Sequence, residues 1–174
     1  MAIKSFLRWL ANWRTKLFDS THQRGPEVEP FVDPEFGVFT WNNQYKWWST
    51  NFSAGDLKMR VNLMLEVEDN EFAELWNTTI RPRLQWLRQN EPTLRLRVAE
   101  KMFSWWVQGW RDPEIDEVDS VEGFANTIMT QGVNIHEDAL LEVHFEDGNL
   151  LGGHGIYCSV GDNGEIVEDP TFWG

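Results

Sequence analysis

"ALLEVHFEDGNLLGGHGIYCSVGDNGEIVE", residues 139–168, holds two of the chain's four histidines and its single cysteine. Leu141, Val143 and Phe145 alternate with Glu142, His144 and Glu146, the period of a strand with one apolar and one solvated face. Asp147-Gly148 offers a turn pair, because both residues tolerate positive φ, and "GIYCSV" then reads as the returning strand of a tight hairpin. "GDNG" makes the next turn and "EIVE" a further short strand. In this reading His154 is in phase with Ile156, Cys158 and Val160, so it points towards the core as a hydrogen-bonded structural histidine.

The same logic extends upstream. "FGVFTWN" and "YKWWSTNF" are aromatic and β-branched, with Asn42-Asn43 as a turn between them. After "AGD" at 54–56, "LKMRVNLMLEVE" places Leu57, Met59, Val61, Leu63, Leu65 and Val67 on one face of a half-buried strand. At Asp69-Asn70 the period changes to that of a helix, with Phe72, Leu75, Trp76, Thr79 and Ile80 together. Pro82 is expected to kink or restart this helix, and Pro92 to open another that runs to about Arg111. That last helix would bury Leu94, Val98, Met102, Trp105 and Trp106. Asp119 with Glu122 resembles a capping box for a short helix over Val121, Phe124, Ala125 and Ile128. Strands, then helices, then strands predict an α+β fold: an antiparallel sheet from N-terminal and C-terminal strands packed against a central group of helices.

Residues 1–18 form a basic amphipathic helix in this reading, with Phe6, Leu10, Trp13 and Leu17 on its apolar side. It would pack on its own domain or a partner, or lie on a membrane surface. Residues 19–35, rich in Pro and charge, read as a linker, and 36–174 as one α+β domain. No apolar run approaches the length of a membrane span, and Arg8 and Arg14 interrupt the first apolar stretch, so no secretory signal is seen. With a lone cysteine, the expected setting is the cytoplasm. Cys158 itself reads as a small buried hydrophobe.

Charge is distributed unevenly. The net charge is −13, yet residues 1–24 carry five Lys/Arg against one Asp, whereas 112–174 carry 15 Asp/Glu and no Lys or Arg. Such a field disfavours nucleic acid and attracts a basic protein partner. Asp112, Glu114, Asp116, Glu117, Asp119, Glu142 and Glu146 are the candidate partner-binding residues. The eleven tryptophans are read as core filling, with an aromatic platform for a sugar or flat ligand as the sharper alternative.

Reaction chemistry is thinly signposted. His136, His144, His154, Glu142 and Glu146 are the residues that could ligate a metal, but an alternating Glu-Val-His-Phe-Glu run is also what a solvated strand face looks like. No nucleophile motif, zinc-protease motif, P-loop or dinucleotide fingerprint is present, so no catalytic residue, metal or cofactor is assigned.

The C-terminal stretch from Ser120 to Gly174 resembles the bacterial domain of unknown function 2262 family. The resemblance rests on Asp147, Gly148, Gly153, His154, Ile156, Gly164 and Gly174, and extends over residues 36–174. Gly155 separates His154 from Ile156, and Leu150-Leu151 stand where that pattern carries an aromatic. The resemblance implies the fold and a cytoplasmic bacterial setting, and no reaction.

The leading expectation is therefore an acidic, non-catalytic binding protein, one form of which is an immunity-type inhibitor covering a basic toxin or nuclease. One alternative is a metal-dependent hydrolase using His144, His154 and nearby carboxylates. Another is a peripheral membrane or scaffold protein acting through residues 1–18. Whether it is an enzyme stays open, leaning to no. Oligomeric state is not legible.

Overall fold

The computed structural model describes residues 28–65, 69–114 and 116–173. The amphipathic helix expected at 1–18, with Phe6, Leu10, Trp13 and Leu17, lies outside the described residues. Eight strands form a single sheet in chain order: β1 Phe31–Asp33, β2 Gly37–Asn42, β3 Trp47–Ala54, β4 Leu57–Met64, β5 Met129–His136, β6 Leu141–Glu146, β7 Gly155–Val160 and β8 Thr171–Trp173. Every neighbouring pair is antiparallel except β4 with β5, which run parallel with Arg60 opposite Gly132 and Leu63 opposite Ile135. A parallel pair needs a crossover, and the helical segment supplies it. β1 falls within the stretch read as linker, so the folded unit reaches back past residue 36.

The expected group of helices is not what the chain builds. Between β4 and β5 stand α1 (Asp69–Leu75), a π-helical turn (Trp76–Ile80), the long α2 (Arg81–Gly109) and the short α3 (Val121–Thr127). Among the described residues the fold is a large, mostly antiparallel sheet with one long helix laid on one face, and this overturns the α+β picture of a sheet packed against several helices. The reason lies at the two prolines. Before Pro82 the Arg81 N–H reaches back to the Trp76 carbonyl, a π-type bond that carries the helix through the position where the proline has no donor. Pro92 lies inside α2 on its exposed side, where water can reach the carbonyl that the proline leaves unbonded.

The core lies between α2 and one face of the sheet. Leu84, Leu87, Leu94, Val98, Met102 and Trp106 meet Val61, Leu63, Val133, Ile135, Val143 and Ile156, all buried. Trp105, expected among them, is 38% exposed, because α2 is covered on one side only. Buried polar groups tie the helix to the sheet ends. The Arg83 guanidinium donates to the carbonyls of Ala139 (3.2 Å), Val160 (2.8 Å) and Asp162 (3.0 Å). Glu91 accepts from the Thr130 hydroxyl at 2.7 Å and pairs with Arg95 at 3.3 Å.

Three local expectations change. "EIVE" is not a strand: only Ile166 pairs, in a single bridge to Val160. α3 is capped by Ser120, whose hydroxyl accepts from the Gly123 N–H at 3.1 Å, and not by Asp119. The tight hairpin at Asp147-Gly148 is instead a loop over 147–154. Asp147 is buried and serves as its hub, accepting from the N–H groups of Asn149 (3.0 Å), Leu151 (2.8 Å) and Gly153 (3.0 Å). Gly148 has φ +59° and lies against Thr127, where a Cβ would come within 2.6 Å of the Thr127 carbonyl.

Candidate functional site

One end of the molecule collects several sequence candidates. β5 begins and β6 ends there, and α2 finishes above them, so the acidic segment 110–120 and the loop 147–154 lie side by side. Trp106 fixes this arrangement by donating its indole N–H to the Leu150 carbonyl at 2.8 Å, and the Trp110 ring lies against Gly152. Trp105 stacks on Phe172 at 5.0 Å, Trp110 meets the edge of Phe172 at 6.1 Å, and His154 meets Trp110 at 5.6 Å. Trp105, Trp110 and Phe172 are each about two-fifths exposed, so this is a surface aromatic cluster beside the edge strand β8.

Carboxylates border the cluster. Asp112, Glu114, Glu117 and Asp119 are exposed and Asp116 is half-buried. Asp116 accepts from the Asp112 N–H at 2.7 Å and Asp112 from the Glu114 N–H at 3.0 Å, which shapes the turn. Among the described residues none of the five pairs with Lys or Arg. The basic residues of α2 are engaged elsewhere: Arg81 with Asp33 and Glu35, Arg88 with Glu35, Arg95 with Glu91, Lys101 with Asp169. The five carboxylates therefore have no ion-pair partner among the described residues, although Arg111 adjoins Asp112 in the chain.

The other sheet face, away from α2, carries a polar row. Asn62 donates to Asn134 at 2.9 Å, and Asn134 donates to the Glu142 carboxylate at 3.0 Å. His144 Nε2 lies 2.7 Å from the same carboxylate oxygen, and His136 Nε2 lies 4.0 Å from the other. The hydrogen bond from His144 holds the Glu142 carboxyl below its ordinary range, against the opposing effect of partial burial. Tyr157 stacks on His144 at 6.0 Å and Trp173 meets its edge at 5.9 Å.

A family model described as an uncharacterized protein conserved in bacteria (DUF2262) matches residues 33–170. The chain belongs to the DUF2262 family. The DUF2262 match covers most of the chain and not only the C-terminal third, where the recognisable residues lie. Its first matched position, Asp33, is a buried carboxylate that accepts from the Glu35 and Phe36 N–H groups and from the Trp76 indole. No curated protein and no solved structure matches the chain.

Within this DUF2262 chain the sequence candidates separate. His136, His144 and Glu142 come together on the open face, and Glu146 stands at its end, accepting from Gln131 at 3.0 Å. His154 is half-buried in the loop before β7, on the side of α2 against Trp110 and Phe172, so it neither points into the core nor faces His144. Among the described residues no group of three His, Cys, Asp or Glu side chains is set to hold a metal ion, and no helix is long and apolar enough to cross a membrane. Burial pushes the Cys158 thiol up to about 12. Sequence reasoning missed the exposed position of Trp105, Trp110 and Phe172. Its one available signal was that a two-sided apolar face on α2 exceeds what a single sheet can cover.

Proposed function

We propose that this protein is an acidic, cytoplasmic, non-catalytic binding protein that engages a basic protein partner, in the manner of an immunity-type inhibitor of a cationic toxin or nuclease. The observation that carries the reading is the acidic segment 112–119, without ion pairs among the described residues, beside the exposed Trp105–Trp110–Phe172 cluster. Large aromatic anchors with a charged border are the anatomy of interface hot spots, where rings are desolvated and the border steers encounter. Lysine and arginine side chains satisfy both parts at once, by ion pairing to the carboxylates and by stacking over indole faces. Glu142 and Glu146 face the other side of the sheet and extend the negative field without joining this patch.

The test is a native pull-down with the full chain at low and high salt, run beside two variants. One neutralises Asp112, Glu114, Asp116, Glu117 and Asp119 to their amides, and the other is Trp105→Ala with Trp110→Ala. The reading expects a basic protein held by the parent at low salt, weakened by salt and by both variants, and inhibited in its own activity when bound. Retention of no basic protein at either salt, or retention indifferent to both variants, overturns it.

A further inference from the structure

The open sheet face carries a second set of groups, which the proposed protein interface does not use. Strand register places Asn51, Arg60, Gly132, His144 and Tyr157 in one row across β3 to β7. Ser49, Asn62, Asn134, Glu142 and Ser159 form the next row. Paired residues project to the same face, so Arg60 and His144 stand on either side of Gly132, about 10 Å apart at two strand spacings. Gly132 contributes no side chain, and a Cβ there would meet the Arg60 carbonyl at 3.1 Å. The row therefore has a floor of bare backbone between a guanidinium and an imidazole.

Beside this floor the face is hollowed. A depression of about 760 Å³ is lined by Thr40, Asn42, Ser49, Asn51 and Arg60, with Trp41 at its side. That volume falls within the range of small-molecule sites. The lining is amide and hydroxyl, which exchange hydrogen bonds with a polyhydroxylated ligand in both directions. Arg60 is exposed and has no ion pair or hydrogen bond among the described residues, in contrast to the arginines of α2 from 81 to 97, all of which have partners. Across the glycine floor the Glu142 carboxylate is already ordered by His144 and Asn134, and the rings of Tyr157 and Trp173 offer apolar faces.

We propose that the open face of the sheet between β2 and β8 is a binding site for an acidic sugar, a uronic acid unit or short uronate-containing chain. The sugar carboxylate sits on Arg60 and its hydroxyls bond the amides and hydroxyls of the hollow; in a short chain a neighbouring unit, about 10 Å on across Gly132, reaches the Glu142–His144 pair beside the exposed Trp173 ring. A planar guanidinium matches a carboxylate through two parallel hydrogen bonds. Arg60, with the exposed Lys58 two residues away on the same face of β4, is a small basic patch in a chain of net charge −13, which suits a carboxylate and disfavours a polyanion such as nucleic acid.

The experiment is isothermal titration of the full chain with glucuronate and a galacturonate disaccharide, with glucose and inorganic phosphate as controls. It is repeated on Arg60→Ala, whose exposed position allows folding to be verified by its unfolding curve. Uronate binding that falls about ten-fold or more in Arg60→Ala, the loss of one charged contact, supports the assignment. Binding must also survive in the variant with residues 112–119 neutralised, which separates this site from the protein interface. No uronate binding at millimolar concentration, equal binding by Arg60→Ala, or glucose or phosphate binding as tightly as glucuronate overturns it.

Discussion

Replacing Asp147 by alanine tests whether one buried carboxylate holds the loop that supports the aromatic cluster. Asp147 is only 7% exposed and accepts from three backbone donors: Asn149 at 3.0 Å, Leu151 at 2.8 Å and Gly153 at 3.0 Å. The Leu151 bond is the fully buried one, and a hydrogen bond to a charged acceptor contributes ~1.5–3 kcal/mol. The other two lie nearer solvent, where water replaces most of what is lost, leaving ~0.5 kcal/mol each. The expected cost of Asp147→Ala is therefore ~2.5–4 kcal/mol, a drop of ~1–2 M in the urea midpoint for a chain of this size. Asp147→Asn keeps one acceptor but turns an amide NH₂ towards a donor, so it should lose ~1–2 kcal/mol. Urea unfolding followed by tryptophan fluorescence measures both, and hydrogen exchange at Leu151 and Gly153 should accelerate in the alanine variant. A loss under ~1 kcal/mol for Asp147→Ala, or equal losses for the two variants, refutes the reasoning.

Three further outcomes are expected. Glu142 has a folded-state pKa below its ordinary value, so its contribution is complete above the usual carboxylate range and is lost as pH falls through the depressed value. Glu142→Gln should accordingly flatten the acid limb of stability below about pH 4.5, and an unchanged limb in urea titrations from pH 5 to 3 would count against the His144 hydrogen bond. With its thiol pushed up to about 12 by burial, Cys158 should resist a thiol reagent at pH 8 and react only at the rate of unfolding, so rapid labelling of native protein would contradict the packing. Pro92→Ala restores a helix donor on the exposed side of α2 and should stabilise the fold by ~1–2 kcal/mol, the ~3 kcal/mol helix penalty being reduced by relaxation and by greater freedom of the unfolded chain; a fall in stability would mean that Pro92 shapes a needed bend.

Much of the strand pattern was legible because burial on one face forces a period of two. β4 and β6 alternate as read, with Met59, Val61, Leu63, Leu141, Val143 and Phe145 buried. The turn at 54–56 was equally readable, since Gly55 takes φ +61°. Helical content from Asp69 was also visible, but its division was not: a proline signals a break, and the chain answers Pro82 with a π-type bond. His154 was misplaced for a related reason. Strand phase was carried back through Gly155, whereas the loop runs to His154 with positive φ at Gly148, Asn149, Gly152 and Gly153. Of the candidate site, the acidic residues could be counted along the chain, while their lack of cationic partners depended on where Arg81, Arg88, Arg95 and Lys101 point.

By itself, then, the sequence determined where β2, β3, β4, β6 and β7 and the helical segment from Asp69 occur, which residues face inward on β4, β6 and β7, and the one-sided distribution of charge, while β1, β5 and β8 went unread. These are local quantities, set by residue periodicity and composition over a few neighbours. Only the tertiary structure decided that β4 and β5 run parallel, that the helical segment from α1 to α3 bridges them, and that Asn62 meets Asn134 across 72 residues. It also decided which aromatic rings are left at the surface. Those outcomes depend on how much sheet a single helix can cover, a balance of buried area and chain connectivity that no short window of sequence contains.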